Sequence, residues 1–246
     1  MQSVKRIFKI IDCFSFEETQ LSLDEITKRS ELPKPTVYRI CEALCKEHIL
    51  NKDLSSLKYR VGIKLFELGS MFLQSLELRQ IAFPEMEKLY EITGESIHMG
   101  IIEGNEVISI EGIESNKSLH IKLWIGKRSP IYCTSIGKAI LAFYSDEEIK
   151  KILDNIKLKS FTENTITSKR KLIEELKSIK ENHVALDYQE HEEGVICIGA
   201  PIFNKTNNVI ASISISGPVI RMTEENINKY KDFILKAVNN ITKKLS

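Results

Sequence analysis

The chain lacks an excess of charge. Over 246 residues, 35 Lys and Arg stand against 34 Asp and Glu, a net of +1. It is therefore not a polycation built to coat nucleic acid, and any partner must be read from local arrangement. Cysteine is scarce and scattered, at Cys13, Cys41, Cys45, Cys133 and Cys197. That spacing makes a poor disulfide framework and a poor zinc knuckle. No apolar run approaches the ~18 residues of a membrane-spanning helix. The apolar stretch at residues 7–14 is broken by Lys9 and Asp12, unlike a secretory leader, so a cytoplasmic location is expected. GxSxG, HExxH, GxGxxG and P-loop signatures are missing. Neither an enzyme nor a cofactor is therefore expected. What is present is ordinary for a folded protein, 42% apolar and 28% charged, with length for two small domains or one large one.

Helical spacing of Val4, Ile7, Phe8, Ile11 and Phe14 predicts a first amphipathic helix. Ser22 and Glu25 make a capping box for a short second helix over residues 23–29. A third helix begins near Lys34, with Val37, Ile40, Cys41 and Leu44 facing inward; Pro33 and Pro35 are tolerable at its start, where amides lack intrahelical partners. Residues 49–53 and 58–61 can pair as a hairpin. Three helices followed by a hairpin read as a winged helix-turn-helix.

The start of the third helix carries Lys34, Thr36, Tyr38 and Arg39. These offer a cation for phosphate, a hydroxyl, an amphipathic ring and a guanidinium able to read guanine. Lys52, Lys58 and Arg60 on the wing suit the flanking phosphate backbone. The alternative is a small helical domain whose basic residues are merely solvated. Residues 1–62 hold 11 basic and 9 acidic side chains, so charge decides little and the order of elements carries the DNA-binding reading. Cys41 and Cys45, one turn apart, are expected to be core residues rather than a redox pair.

Residues 63–76 are apolar on nearly every side, which calls for cover all round. They are expected to form a helical linker packed on a second copy. Another helix follows, closed by Gly94. Beyond it, residues 96–103 and 107–113 flank Gly104 and Asn105 as a hairpin. Residues 119–125 alternate like a third strand. Helices are expected over residues 135–144, from Ser145, over residues 169–182 and from Thr223. Strands are expected over residues 184–188, 195–203 and 209–216. The mixture predicts an α+β domain around one sheet. Two features suggest a binding site. A helix opens after Thr134, where free amides attract anions. Ser212, Ser214 and Ser216 share one face of a strand, opposite Ala211, Ile213 and Ile215.

Several segments together resemble the IclR family of bacterial transcription regulators. They are Ser3-Val4-Lys5-Arg6, the run from Leu32 through Arg39, Tyr59-Arg60-Val61-Gly62, residues 130–142, residues 194–202 and residues 214–218. The resemblance implies a winged helix-turn-helix over residues 1–62, a helical linker and dimerisation segment over 63–80, and a GAF- or profilin-like effector domain over 81–246. It implies double-stranded operator DNA as partner, a homodimer or tetramer, and a small organic acid or sugar acid as effector. The family's pocket falls on Ser135, Ile136, Asp187, Cys197, Ser214 and Ser216, with Ser118 and Ile121 at positions that wall it. Pro35 stands where the family usually carries Ser, and Ile136 narrows a loop that is often built of small residues. Trp124, near this region, is expected to pack in the core. Asp187 beside an anionic ligand favours hydroxy or keto acids, because it must accept from a ligand hydroxyl or be protonated. Two other functions stay open: a metal-responsive regulator using Cys133, His183, His191 and Cys197, and a thiol-dependent enzyme pairing Cys133 with His183 or His191.

Overall fold

The structure, a computed structural model, describes residues 2–245. It divides between Leu76 and Glu77 into two compact units. Each builds its own core.

The N-terminal unit runs α1 (Gln2–Ile11), β1 (Gln20–Leu21), α2 (Leu23–Ser30), α3 (Lys34–Lys46), β2 (Leu50–Lys52), β3 (Tyr59–Val61) and α4 (Ile63–Ser75). The capping box forms as expected: Glu25 N donates to Ser22 Oγ at 3.3 Å, and Ser22 N donates to Glu25 Oε2 at 2.7 Å. Val37, Cys41 and Leu44 of α3 pack on Ile10, Leu21, Ile26, Leu50 and Tyr59. Burial pushes the Cys41 thiol up to about 12, so it is an inert core group. The wing is closed by Asp53, whose Oδ1 accepts from the amides of Ser55 and Ser56, both at 2.8 Å. β1 is an addition to the expected hairpin. It lies on the far side of β3, giving the order β1-β3-β2.

The first helix departs from its expected inner face. Ile10 is its buried residue, while Val4 and Phe8 stay 55% and 57% exposed. Its apolar band is wider than the surface of α2 and α3 that it meets, so only the side around Ile7, Ile10 and Ile11 is covered. In α4 no residue is buried; Phe66, Met71 and Phe72 are 69%, 63% and 54% exposed.

The C-terminal unit contains α5 (Glu77–Thr93), β4 (Ser96–Glu103), β5 (Glu106–Ile113), β6 (Arg128–Pro130), α6 (Ser135–Leu141), α7 (Asp146–Asn155), α8 (Lys169–Asn182), β7 (Ala185–Tyr188), β8 (Val195–Phe203), β9 (Val209–Pro218) and α9 (Glu224–Lys244). Its antiparallel sheet has the order β6-β5-β4-β9-β8-β7. Strand alternation sorts the sheet's faces. Ile97, Met99, Ile196, Ile198, Ile213 and Ile215 form a buried face, on the side where α5 and α9 pack. The other face carries His98, Cys197, Ser214 and Ser216 under α6. Gly199 lets α6 come that close: a Cβ there would stand 2.6 Å from the Ser135 carbonyl oxygen.

Residues 119–125 form no strand. β5 is flanked at residues 106–108 by β6 instead. The carbonyls of Leu119 and Ile121 are taken by side chains rather than by a ladder. Ser96 Oγ donates to Ile121 O at 2.9 Å, and Arg221 donates to Leu119 O at 2.8 Å. Residues 114–127 thus make a strap across the helix-α6 face of the sheet, with Leu123 seated over Gly112.

Candidate functional site

In the N-terminal unit, Arg39 and Tyr38 project outward from α3, and Thr36 is half-buried. Lys34 is exposed and paired with Asp24. On the wing, Arg60 is exposed and Lys58 half-buried. Lys52 turns back toward α3, where its ammonium meets Glu42 at 3.0 Å and lies 5.6 Å from the Tyr38 ring centre. Its hydrogen bonds to Tyr59 and Glu42 hold its pKa above the usual lysine range. Lys52 therefore braces Tyr38 and Glu42 on α3 rather than offering a free charge.

In the C-terminal unit a cavity of about 150 Å³ opens between the serine face of the sheet, the start of α6 and the strap. Ser135, Ile136, Asp187, Cys197, Ser214, Ser216 and Ile121 all line it; Ser118 does not and lies exposed. The register explains the gathering. Asp187 faces Cys197, and Cys197 faces Ser216. In the next row, Gly199 faces Ser214 and Ser214 faces His98. Trp124 also walls the cavity, with the Lys122 ammonium 4.4 Å from its ring centre. The expected core position for this ring is thus corrected: strap residues lie over the sheet and not within a packed layer.

Thr134 caps α6. Its Oγ1 accepts from Gly137 N at 3.2 Å and donates to Pro130 O at 2.8 Å. The amides of Ser135 and Ile136 have no acceptor within the helix. Asp187 is buried, and desolvation pushes its carboxyl up to about 7 although its Oδ1 accepts from Glu190 N at 2.7 Å. Near neutrality it exists in both forms, able to donate or to accept. Desolvation likewise drives the Cys197 thiol upward, so it is a neutral wall and no nucleophile. Behind the cavity the fully buried Lys138 of α6 pairs with the buried Glu190, and the Glu190 carbonyl accepts from Thr165 Oγ1 at 2.6 Å. That network ties the pocket helix to the segment that carries Asp187.

Polar side chains of the wall outside the sequence expectation include Lys122, Lys127, Ser129 and Glu192, together with the pair His98 on β4 and Ser109 on β5. Both members of that pair occupy alternating strand positions that read equally well as solvent-facing. The postulated metal ligands do not assemble. Cys133 belongs to the core under α7 and α8, where burial pushes its thiol up to about 12. The His183 ring lies tilted against Phe143, their centres 5.0 Å apart. Among the described residues, no group of three or more His, Cys, Asp and Glu side chains could hold a metal ion.

Comparison with known families decides the identity. The IclR helix-turn-helix domain matches residues 3–54, and the bacterial transcriptional regulator IclR C-terminal domain matches residues 70–243. The chain belongs to the IclR family. The HTH-type transcriptional regulator KdgR of Escherichia coli is 35% identical over 98% of this chain and 92% of its own. XynR of the same organism is 31% identical over 96% and 94%. Among solved structures, the Thermotoga maritima IclR superposes with a TM-score of 0.79 at 32% identity, covering 100% of this chain and 99% of that one. An IclR homologue from Microbacterium hydrocarbonoxydans, complexed with 4-hydroxybenzoate, shares the fold with a TM-score of 0.86 at 24% identity, covering 98% of each chain. Membership makes this an α+β DNA-binding transcriptional regulator with an N-terminal winged helix-turn-helix and a C-terminal effector-type domain.

Proposed function

We propose that this IclR-family regulator binds operator DNA through α3 and the wing, and that a small hydroxy, keto or sugar acid in the C-terminal cavity modulates that binding. The observation that carries the reading is the meeting of Ser135, Ile136, Asp187, Cys197, Ser214 and Ser216 around one cavity. They come from α6, β7, β8 and β9, and no packing need of the core calls for polar groups there. A ligand carboxylate docks at the Ser135 and Ile136 amides. Ser214 and Ser216, whose hydroxyls lie 3.3 Å apart, supply directional contacts. Asp187, protonated, donates to the ligand. Arg39 reads a base edge, Tyr38 and Thr36 fit the groove, and Lys34, Lys58 and Arg60 hold phosphates.

The operator-bound form is a homodimer, and α4 supports this. Its exposed Phe66, Met71 and Phe72 make an apolar surface on a helix with no buried residue, which a second copy of the helix covers. The decisive experiment is effector titration of the Ser214→Ala, Ser216→Ala double variant with operator binding as readout. The response to acids fades while acid-free DNA affinity stays at the wild-type level. Undiminished response would place the effector elsewhere.

A further inference from the structure

Two buried polar atoms of the cavity wall have no role in the reading above. His98 Nε2 and Ser109 Oγ are buried, line the cavity and have no hydrogen-bond partner among the described residues. They come from β4 and β5, on the opposite side of β9 from Cys197 and Asp187 on β8 and β7. We infer that His98 and Ser109 form a second reading point in the cavity, which takes a hydroxyl of the ligand remote from its carboxylate. The inference rests on the proposed acid-effector function and narrows its ligand class.

The chemistry follows from the two groups. Burial pushes the His98 imidazole down to about 4, so it is neutral at physiological pH. A neutral imidazole has one donor and one acceptor nitrogen, and a serine hydroxyl does both. The complement of such a pair is another hydroxyl, which donates to one partner and accepts from the other. A carboxylate serves the pair only when both groups donate, and an ammonium only when both accept, whereas a hydroxyl can donate to one or accept from either and so serves both tautomers. A methyl group would leave both buried atoms unpaired, so the site disfavours the analogue lacking the hydroxyl by the net worth of a hydrogen bond.

Size sets the length of the ligand. An apolar cavity of about 150 Å³ takes a benzene-sized guest. The present cavity of about 150 Å³ is open at its mouth, so it receives an acid of that bulk or one that extends outward from it. Within it the carboxylate and the distal hydroxyl are separated by a few carbon atoms. Gly100 keeps the floor open beside Ser109, its register partner: a Cβ there would stand 2.9 Å from Val107 Cγ1 and 3.2 Å from Ile136 Cγ2.

The test uses the full chain and matched acids differing in one hydroxyl: glycerate against lactate, L-galactonate against L-fuconate, and 4-hydroxybenzoate against benzoate. Trp124, the single tryptophan, stands in the cavity wall, so its fluorescence reports binding directly. The wild type should favour the hydroxylated member of at least one pair by roughly 2- to 10-fold, the worth of one hydrogen bond. Ser109→Ala and His98→Leu should erase that preference, and His98→Gln, which keeps a donor and an acceptor at the ring's outer nitrogen, should retain it. Ser109→Ala removes one atom and guards against a misfolded His98→Leu. Binding of the acids with the preference unchanged in both variants would overturn the inference and leave the acid-effector function standing. No binding by any of the six acids would overturn both.

Discussion

Replacing Lys138 by Met isolates the buried pair behind the cavity. The ammonium of Lys138 is fully buried and pairs with Glu190, itself buried, and with the partly exposed Glu175. Met keeps the apolar stem and deletes the charge. Glu175 can turn to solvent, but Glu190 cannot. Left alone, Glu190 escapes a bare buried charge only by taking a proton, and this sets a ceiling on the cost. Its ordinary value is 4.5; protonating such a group at pH 7.5 costs 1.36 kcal/mol for each of three pH units, about 4 kcal/mol. That agrees with the ~3–5 kcal/mol typical of breaking one side of a buried pair. The sign follows from linkage. A carboxyl whose folded pKa is raised carries its penalty above the unfolded pKa, and the penalty grows as pH rises toward the folded value. At pH 5.5 the ceiling is therefore only about 1.4 kcal/mol. Urea unfolding followed by Trp124 fluorescence reports this unit selectively. Burial raises Glu190 even beside Lys138, so the loss in Lys138→Met stays below that ceiling: up to about 3 kcal/mol at pH 7.5 and under about 1 kcal/mol at pH 5.5. Adding Glu190→Gln should restore most of the loss. A loss that is independent of pH, or below about 1 kcal/mol at pH 7.5, would refute the charge-burial reasoning.

Arg39→Ala should weaken operator binding by ~1–3 kcal/mol and relax one base position; footprints and competition at several salt concentrations check this, and a uniform, salt-sensitive loss would reassign Arg39 to phosphate. Phe72→Asp puts a charge into the apolar surface of α4, where burial without a partner is unfavourable; sedimentation should show smaller species, and an unchanged oligomer with full DNA affinity would remove α4 from the interface. Acid binding should weaken about tenfold between pH 6 and pH 8, because Asp187, raised to about 7 by desolvation, ionises beside the ligand carboxylate. Glu190, Glu192, Lys138 and His191 surround that segment, and a flat titration profile would exclude Asp187 from ligand contact.

Much of this architecture was legible because local chemistry and tertiary packing agree. The capping boxes at Ser22 and Ser145 start α2 and α7 where the hydroxyl–carboxylate spacing says they should. The strict Ser/Ile alternation of residues 212–216 states in advance that β9 has one polar and one apolar face. The misreadings share a cause: periodicity reports which residues are apolar but not what covers them. Leu119, Ile121 and Leu123 alternate like a strand, yet Ser96 and Arg221 hold their segment as a strap. Val4 and Phe8 keep helical spacing, yet α2 and α3 are too narrow to reach them. His98 and Ser109 escaped notice because a polar residue on a half-buried strand signals solvent unless α6 and the strap are known to lie above it. Lys52 read as a free cation because its partner, Glu42, belongs to a different element.

The strand order also dictates a sequence of events during synthesis. In the sheet of the C-terminal unit, β4 lies between β5 and β9, and His98 faces Ser214. These partners are roughly 115 residues apart along the chain, and pairings that span so long a loop form late and slowly. The winged helix, by contrast, is complete within the first third of the chain, and domains fold as units from the N-terminus as they are made. A nascent regulator therefore holds a finished DNA-reading head while its cavity still has no floor. The floor closes only when β9 leaves the ribosome and settles between β4 and β8.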